Sequence, residues 1–207
     1  MKTHARVVVI GGGVVGVSAL YHLAKKGWSD VVLIERKELT SGSTWHAAGL
    51  LPLFNMSYSV GQIHRYSVKF YQELQEETGM NVGFRNVSNI RLAQTEDRMD
   101  VYRQYAGVAC TIGVDVDFLT PDEVKDIWPL CNTEGLVGAI RHPSDGYIQP
   151  ADLTQALARG ARDRGVEIYR NTTVTGISRT ASGEWKITTD KGAVSYTHLT
   201  LPTILLV

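Results

Sequence analysis

The stretch that decides the fold is VVVIGGGVVGVSAL, Val7–Leu20. Arg6 to Ile10 is a run of strand residues that ends in glycines, the pattern of a strand buried on both faces. Val14 to Lys26 then reads as a helix, closed by Lys25, Lys26 and Gly27. Val31–Glu35 is a second buried strand, so the first 35 residues predict a βαβ unit with parallel strands.

Gly11, Gly13 and Gly16 satisfy GxGxxG in the setting that gives the spacing meaning: after a strand, opening a helix, with an acidic residue ending the next strand. Gly11 permits a tight turn, Gly13 lets the backbone approach a pyrophosphate, and Gly16 lets the helix pack closely on the strand. The amides of Val14 and Val15 then face phosphate, where unpaired N–H groups and the helix dipole favour negative charge. Glu35 lies 24 residues after Gly11, near the spacing of a carboxylate that accepts hydrogen bonds from adenosine ribose hydroxyls. The competing account is a glycine-rich turn beside a solvated glutamate. FAD and NAD share the ADP half that such a cradle recognises, so it does not separate them.

Composition narrows the partners. A chain of 207 residues with 43% apolar residues can bury a core as one or two domains. With 21 acidic and 21 basic side chains there is no net field to attract nucleic acid or an anionic membrane, so a small-molecule ligand is expected. Cys110 and Cys131 lack metal-like spacing and read as apolar fillers in a reducing compartment. No apolar run approaches the ~20 residues of a membrane span, and MKTHAR has no signal-peptide core, so a soluble cytoplasmic protein is expected.

Further along, Ile63, Tyr66, Phe70 and Leu74 recur at helical spacing up to Gly79, and Val82–Ala93 reads as paired or bent strand. A helix follows from about Glu96 to Thr111. In LTPDEVKDIWPL a shorter one starts, with Thr120 as cap, Pro121 in the first turn and Glu123 completing a capping box. Gly135–Ile140 and Tyr147–Ile148 look like strands around the turn HPSDG. Ala151–Arg164 is an amphipathic helix, and Val166–Tyr169, Thr172–Ser178 and Trp185–Thr189 follow as strands. The expected fold class is α/β: a Rossmann-like βαβ domain interrupted by an α+β segment. Residues 1–50 hold the βαβ unit and its following loop, 51–149 the insertion, and 150–193 the return.

The segment ERKELTSGSTWHAAGL, Glu35–Leu50, bears on the cofactor. An NAD site has little use for a second small-residue loop straight after the ribose carboxylate, whereas FAD must be followed from its ADP end to its flavin. Gly42, Ser43 and Thr44 offer amides, small side chains and two hydroxyls for phosphate and ribityl oxygens. His46 lies 11 residues after Glu35, a reach of roughly 36–40 Å in an extended chain, enough to arrive at a flavin ring. It could equally pack beside that ring or cap the next helix.

RVVVIGGGVVGVSALYHLAKKG, LIERKELT and above all TSGSTWHAAGLL resemble the dimethylglycine dehydrogenase and sarcosine dehydrogenase group of FAD-dependent oxidoreductases, in the D-amino-acid oxidase superfamily. The likeness continues through QIHRYSVKFYQELQEETG, SNIRLAQT and DGYIQPADLTQALARGARDRGVEI, over roughly residues 5 to 192. The resemblance implies that His46 is joined covalently to the flavin 8α-methyl carbon. It implies that Val14 and Val15 sit at the phosphate turn, and Glu35 and Arg36 at the ribose. Gly42, Ser43, Thr44, His46, Ala47, Ala48, Gly49 and Leu50 would face the flavin, and the Val174 backbone would meet the adenine. Arg36 as a solvated neighbour and Val174 as a core valine remain the plain alternatives.

The implied reaction is oxidation of an N-methyl group of a glycine derivative, dimethylglycine or sarcosine, by hydride transfer to flavin N5. The resemblance also implies that the one-carbon unit passes to tetrahydrofolate or leaves as formaldehyde, and that an electron-transfer flavoprotein accepts the electrons. The amine must lose its proton first, which needs a base or a desolvating pocket. No base stands out. His64 on its helix reads as structural, Arg91 and Tyr147 are candidates only for lining a pocket, and Asp145–Gly146 is first a turn signal. After WKITTDKGAV the family pattern calls for a strand and a small-residue turn back to the cofactor. The sequence instead runs SYTHLTLPTILLV, so residues 194–207 are expected to be a non-native tail on an amino-terminal fragment, with the folate site absent. The alternatives are an NAD-dependent oxidoreductase and an FAD-binding fragment without activity.

Overall fold

The computed structural model describes residues 1–181 and 183–200, with backbone alone for 194–200. In chain order it begins with β1 (His4–Ile10), α1 (Val14–Lys25), β2 (Val31–Ile34), a 3₁₀ turn (Ser43–His46), β3 (Leu50–Leu51) and α2 (Tyr58–Thr78). Then come β4 (Arg85–Asn86), β5 (Asn89–Ala93), α3 (Glu96–Ile112), β6 (Asp117–Leu119), α4 (Pro121–Ile127), β7 (Gly138–His142) and β8 (Gly146–Tyr147). The chain returns through α5 (Pro150–Arg162), β9 (Glu167–Tyr169), β10 (Val174–Arg179), β11 (Trp185–Thr189) and β12 (Gly192–Thr200). It divides into two compact units: Met1–Ala48 with Leu74–Val82 and the chain from Gln149 onward, and Gly49–Glu73 with Gly83–Ile148.

The first unit is built on a six-stranded sheet of order β10-β11-β12-β1-β2-β9. β12, β1, β2 and β9 run parallel, and β10 and β11 pair antiparallel at one side. The βαβ unit expected from the valine run is present, and all four residues of β2 are buried, as a strand covered on both faces requires. Val8, Val32, Ile34 and Ile187 form an apolar cluster against which Tyr169, Val174 and Trp185 pack. α1 packs on α5. A Cβ on Gly160 would lie 2.8 Å from Tyr21 Cε2, so the glycine in α5 lets that ring in.

The second unit carries two three-stranded antiparallel sheets, β3-β8-β4 and β5-β7-β6. Its core gathers Leu53, Met99, Tyr102, Tyr105, Ile112 and Ile140. α4 starts with the expected capping box: Glu123 N donates to Thr120 Oγ1 at 3.3 Å, and Thr120 N donates to Glu123 Oε2 at 2.7 Å. The paired or bent strand expected over 82–93 is found as two pieces, β4 and β5, in different sheets. Ser88 adopts φ 61°, and the amides of Val87 and Ser88 both turn to the Asp145 carbonyl, which a continuous strand could not allow. β6 carried no recognised signal in its three residues. Cys131 is buried as expected, but Cys110 is exposed. It stands one residue past the buried Ala109 of α3, about 100° around the helix.

Of the tail set apart at 194–207, the backbone of 194–200 lies in β12, paired with β1 and in part with β11, and 201–207 lie outside the described residues. Among the described residues no helix is long and apolar enough to cross a membrane.

A charged latch ties the first unit's helices together. Tyr21 Oη lies 2.8 Å from Glu77 Oε2, and Arg164 Nη1 lies 2.8 Å from Glu77 Oε1. Burial pushes the Glu77 carboxyl upward, but hydrogen bonds from Arg164 and Tyr21 outweigh it and hold the group below its ordinary value. A depressed carboxyl contributes stability above its unfolded pKa and loses it as pH falls through the lower folded one. Glu77→Gln should therefore cost about 0.5–1 kcal/mol near neutral pH, because solvent screens this partly exposed pair, and show a smaller acid-induced loss of Tm than the parent, measured by circular dichroism.

Candidate cofactor site

The glycine turn between β1 and α1 has three steric requirements. Gly11 sits at φ +110°, and its amide donates to the Ile34 carbonyl at 2.9 Å, tying the turn to the end of β2. A Cβ on Gly16 would lie 2.1 Å from the Gly11 carbonyl oxygen, so only glycine lets α1 rest on the strand end. Gly12, which the motif leaves free, is also crowded, though by side chains: a Cβ there would lie 2.6 Å from Leu39 Cδ2 and 2.9 Å from Glu35 Cγ.

That crowding brings Glu35 against the turn. Gly12 N donates to Glu35 Oε2 at 2.6 Å and Lys37 N donates to Glu35 Oε1 at 2.8 Å, so both carboxylate oxygens are oriented by backbone. The peptide of Glu35 is fixed by 169–172: its N–H donates to Tyr169 O at 2.8 Å, and its carbonyl accepts from Thr172 N at 2.9 Å. Glu38 accepts from Asn171 Nδ2 at 2.9 Å. Sequence reasoning missed this support because its partners lie more than 130 residues away and carry no local motif. An ionised carboxylate has about four lone-pair positions, so acceptor capacity remains after two amide bonds. Arg36 beside it is exposed.

Thr44, expected to offer its hydroxyl to the cofactor's oxygens, and Val14, expected to offer its amide to phosphate, meet each other. The structure buries Thr44 and has Val14 N donate to Thr44 Oγ1 at 2.9 Å. Gly13 has no side chain to cap α1, so the cap is supplied from 30 residues away. A Cβ on Gly13 would lie 3.0 Å from the same oxygen, which gives this glycine a packing role of its own. Val15, one residue on, is exposed at the helix N-terminus.

Thr44 also anchors the loop containing Gly42, Ser43 and His46, all exposed. Trp45 is 68% exposed, and its ring meets His46 edge to face at 5.6 Å. Ala47 and Ala48 end the first unit's share of the loop; Gly49 and Leu50 belong to the second unit, where Ile148 N donates to Gly49 O at 2.8 Å and Leu50 pairs opposite Tyr147. Val174 stands in β10 opposite Thr189 and packs against the sheet's apolar cluster.

In the second unit the turn HPSDG does more than reverse the chain. A Cβ on Gly146 would lie 2.0 Å from the Arg85 carbonyl oxygen, so the glycine is required by close approach of β4. Asp145 is 1% exposed, with Oδ1 accepting from Leu53 N at 2.9 Å. His142 is fully buried. Burial and then the Arg91 charge push it down to about 4, so it stays neutral. Arg91 lies 4.4 Å over the Phe54 ring, while Tyr147 is partly exposed. His64 lines a cavity of about 200 Å³ with Leu50, Leu51, Pro52, Ser67, Val68 and Tyr71. Among the described residues no group of three or more His, Cys, Asp or Glu could hold a metal ion.

Residues 6–203 match the model of the DAO family, described as FAD dependent oxidoreductase. The chain is 42% identical to mitochondrial dimethylglycine dehydrogenase of Rattus norvegicus over 193 residues, 93% of this chain and 22% of that protein. It is 41% identical to mitochondrial sarcosine dehydrogenase of Homo sapiens over 178 residues, 86% of this chain and 19% of that one. It thus spans about a fifth of the length of these relatives. The crystal structure of L-proline dehydrogenase from P. horikoshii superposes with a TM-score of 0.91 at 26% identity, over 98% of this chain and 54% of that one. The chain belongs to the DAO family of FAD-dependent oxidoreductases.

Proposed function

We propose that this chain is the FAD-binding part of an oxidoreductase that oxidises an N-methyl group of a small glycine derivative, dimethylglycine or sarcosine, and that His46 tethers the flavin covalently. The observation that carries the cofactor reading is the hydrogen bond from Gly12 N to Glu35, which holds a carboxylate with spare acceptor capacity against a glycine turn at a helix N-terminus. That donor and acceptor set fits the ADP half of FAD, pyrophosphate at the turn and ribose hydroxyls at the carboxylate. When bound, FAD supplies the hydride acceptor. The identity to dimethylglycine and sarcosine dehydrogenases supports the substrate class.

Each group has a task of its own. Gly11, Gly13, Val15 and Gly16 form the phosphate turn; Val14 keeps the first turn of α1 in place by donating to Thr44. Glu35 accepts the ribose hydroxyls and disfavours a 2′-phosphate, with Arg36 beside it, and the Val174 backbone meets the adenine. Gly42, Ser43, Thr44, His46, Ala47 and Ala48 follow the cofactor toward its flavin, and Gly49 and Leu50 carry the chain away. His46 is exposed and so available for a bond that prevents cofactor loss. An electron-transfer flavoprotein as electron acceptor belongs to the same reading.

Acid precipitation of the purified protein should leave flavin absorbance in the pellet, and His46→Ala should move that colour to the supernatant. Colour that washes away from the parent chain sinks the tether, and tight NAD binding without flavin sinks the FAD reading. Anaerobic mixing with dimethylglycine or sarcosine should bleach the flavin; a loaded protein that does not bleach is an FAD-binding fragment without activity. Thr44→Val, which keeps the shape and removes the acceptor for Val14 N, should cost about 1–2 kcal/mol in chemical denaturation and weaken flavin retention, with Thr44→Ser close to the parent in both.

A further inference from the structure

The loop from Gly42 to Ala48 is made of small residues except at two adjoining positions, Trp45 and His46. Thr44 anchors it. This residue is buried, its hydroxyl accepts from Val14 N at 2.9 Å, and its carbonyl accepts from Ala47 N at 3.2 Å, which closes the 3₁₀ turn Ser43–His46. All of these residues belong to the first unit. The backbone that carries the two rings is therefore held, while both side chains are exposed.

An indole left 68% exposed keeps apolar surface in water, which folding by itself does not favour. What it touches is the neighbouring imidazole. The ring centroids are 5.6 Å apart and the planes 62° apart, an edge arrangement within the range where aromatic pairs attract. Among the described residues neither ring has a hydrogen-bond partner. Gly42, Ser43, Ala47 and Ala48 are too small to hold a ring in one orientation, so within the loop only Trp45 can do so. A free imidazole turns about two bonds and samples several rotamers, and one that leans on a second ring samples fewer.

We propose that Trp45 is a positioning residue for the covalent tether: its ring restricts His46 so that the imidazole meets the flavin 8α-methyl group in a reactive orientation. The role rests on the reading of His46 as the point of attachment. As the tether forms, a bond between an imidazole nitrogen and the 8α carbon replaces one methyl C–H bond and one imidazole N–H bond. Both hydrogens leave as protons and two electrons pass into the flavin. Dioxygen then takes up the two electrons with two protons and becomes hydrogen peroxide. Trp45 exchanges no atom or electron in this; it raises the fraction of time that His46 spends in the geometry the step needs.

Mixing the flavin-free whole chain with FAD in air tests this with two readouts. Uptake is the flavin that elutes with the protein on gel filtration, and tethering is the flavin that stays in the acid-precipitated pellet, followed over time. Trp45→Ala should take up FAD as the parent does and unfold at the parent's temperature, while its tethering rate falls about three- to tenfold. Trp45→Phe keeps a ring beside His46 and should recover most of the rate. Tethering at the parent's rate in Trp45→Ala overturns the proposal. A loss of uptake that matches the loss of rate also overturns it, because Trp45 is then a binding contact. The His46 rotamer gives a reading without cofactor: three-bond couplings about its Cα–Cβ bond should report one dominant rotamer in the parent and in Trp45→Phe, and averaging in Trp45→Ala. Averaged couplings in the parent overturn the positioning role even where the tether forms. A parent that takes up FAD without tethering it rejects the His46 reading, and one that takes up no FAD rejects the cofactor reading; either result removes the role of Trp45.

Discussion

The first turn of α1 rests directly on the carbonyl of Gly11, a contact that exists only because Gly16 has no side chain. Much of the candidate site depends on it. With the helix that close, the turn through Gly12 and Gly13 is compressed against Leu39 and Glu35, the Gly12 amide meets the carboxylate, and the helix N-terminus points out past the strand end. A methyl group at Gly16 would push the helix off its seat and separate the partial positive charge of its N-terminus from the Glu35 carboxylate. Gly11 N to Ile34 O locks the same turn to β2, so strand, turn and acid move as one body.

The two units solve the polar-group problem in different ways. In the first, the polar groups at the site have partners: both oxygens of Glu35 meet amides, Thr44 takes the helix amide, and Glu77 holds Tyr21 and Arg164. Such a set is preorganised and has little to gain by moving. In the second, His142 and Asp145 are buried, and each has side-chain atoms without a partner among the described residues. An unpaired polar atom costs more in a packed interior than in water.

Local signals in the sequence were read where they are strong. The valine run, the glycine spacing, the Lys25–Gly27 stop and the Thr120–Glu123 capping box each depend on residues within a few positions of one another, and each element is found where they indicate it. Signals were incomplete where the decisive partner is distant. Val82–Ala93 reads as paired or bent strand, and what bends it at Ser88 is the far Asp145 carbonyl, which draws two successive amides. Thr44 reads as a hydroxyl for a ligand, and its oxygen also accepts from a helix amide 30 residues earlier. Asp145–Gly146 reads as a turn signal; the turn falls at Pro143–Ser144 and Gly146 begins β8, where close approach of Arg85 and burial of the Asp145 carboxyl depend on the fold.

The sequence by itself determined the βαβ unit, the glycine turn, the place of Glu35 and the family, because strand burial, helix stops and a phosphate turn are written in short-range order. Only the tertiary structure decided which hydroxyl caps α1, that Leu39 and Glu35 crowd Gly12, how residues 169–172 brace the acid, and which carboxyl is buried without its full set of partners. Those outcomes depend on which distant groups meet in a packed interior, where desolvation makes every polar atom seek a partner and no local pattern says which one it will find.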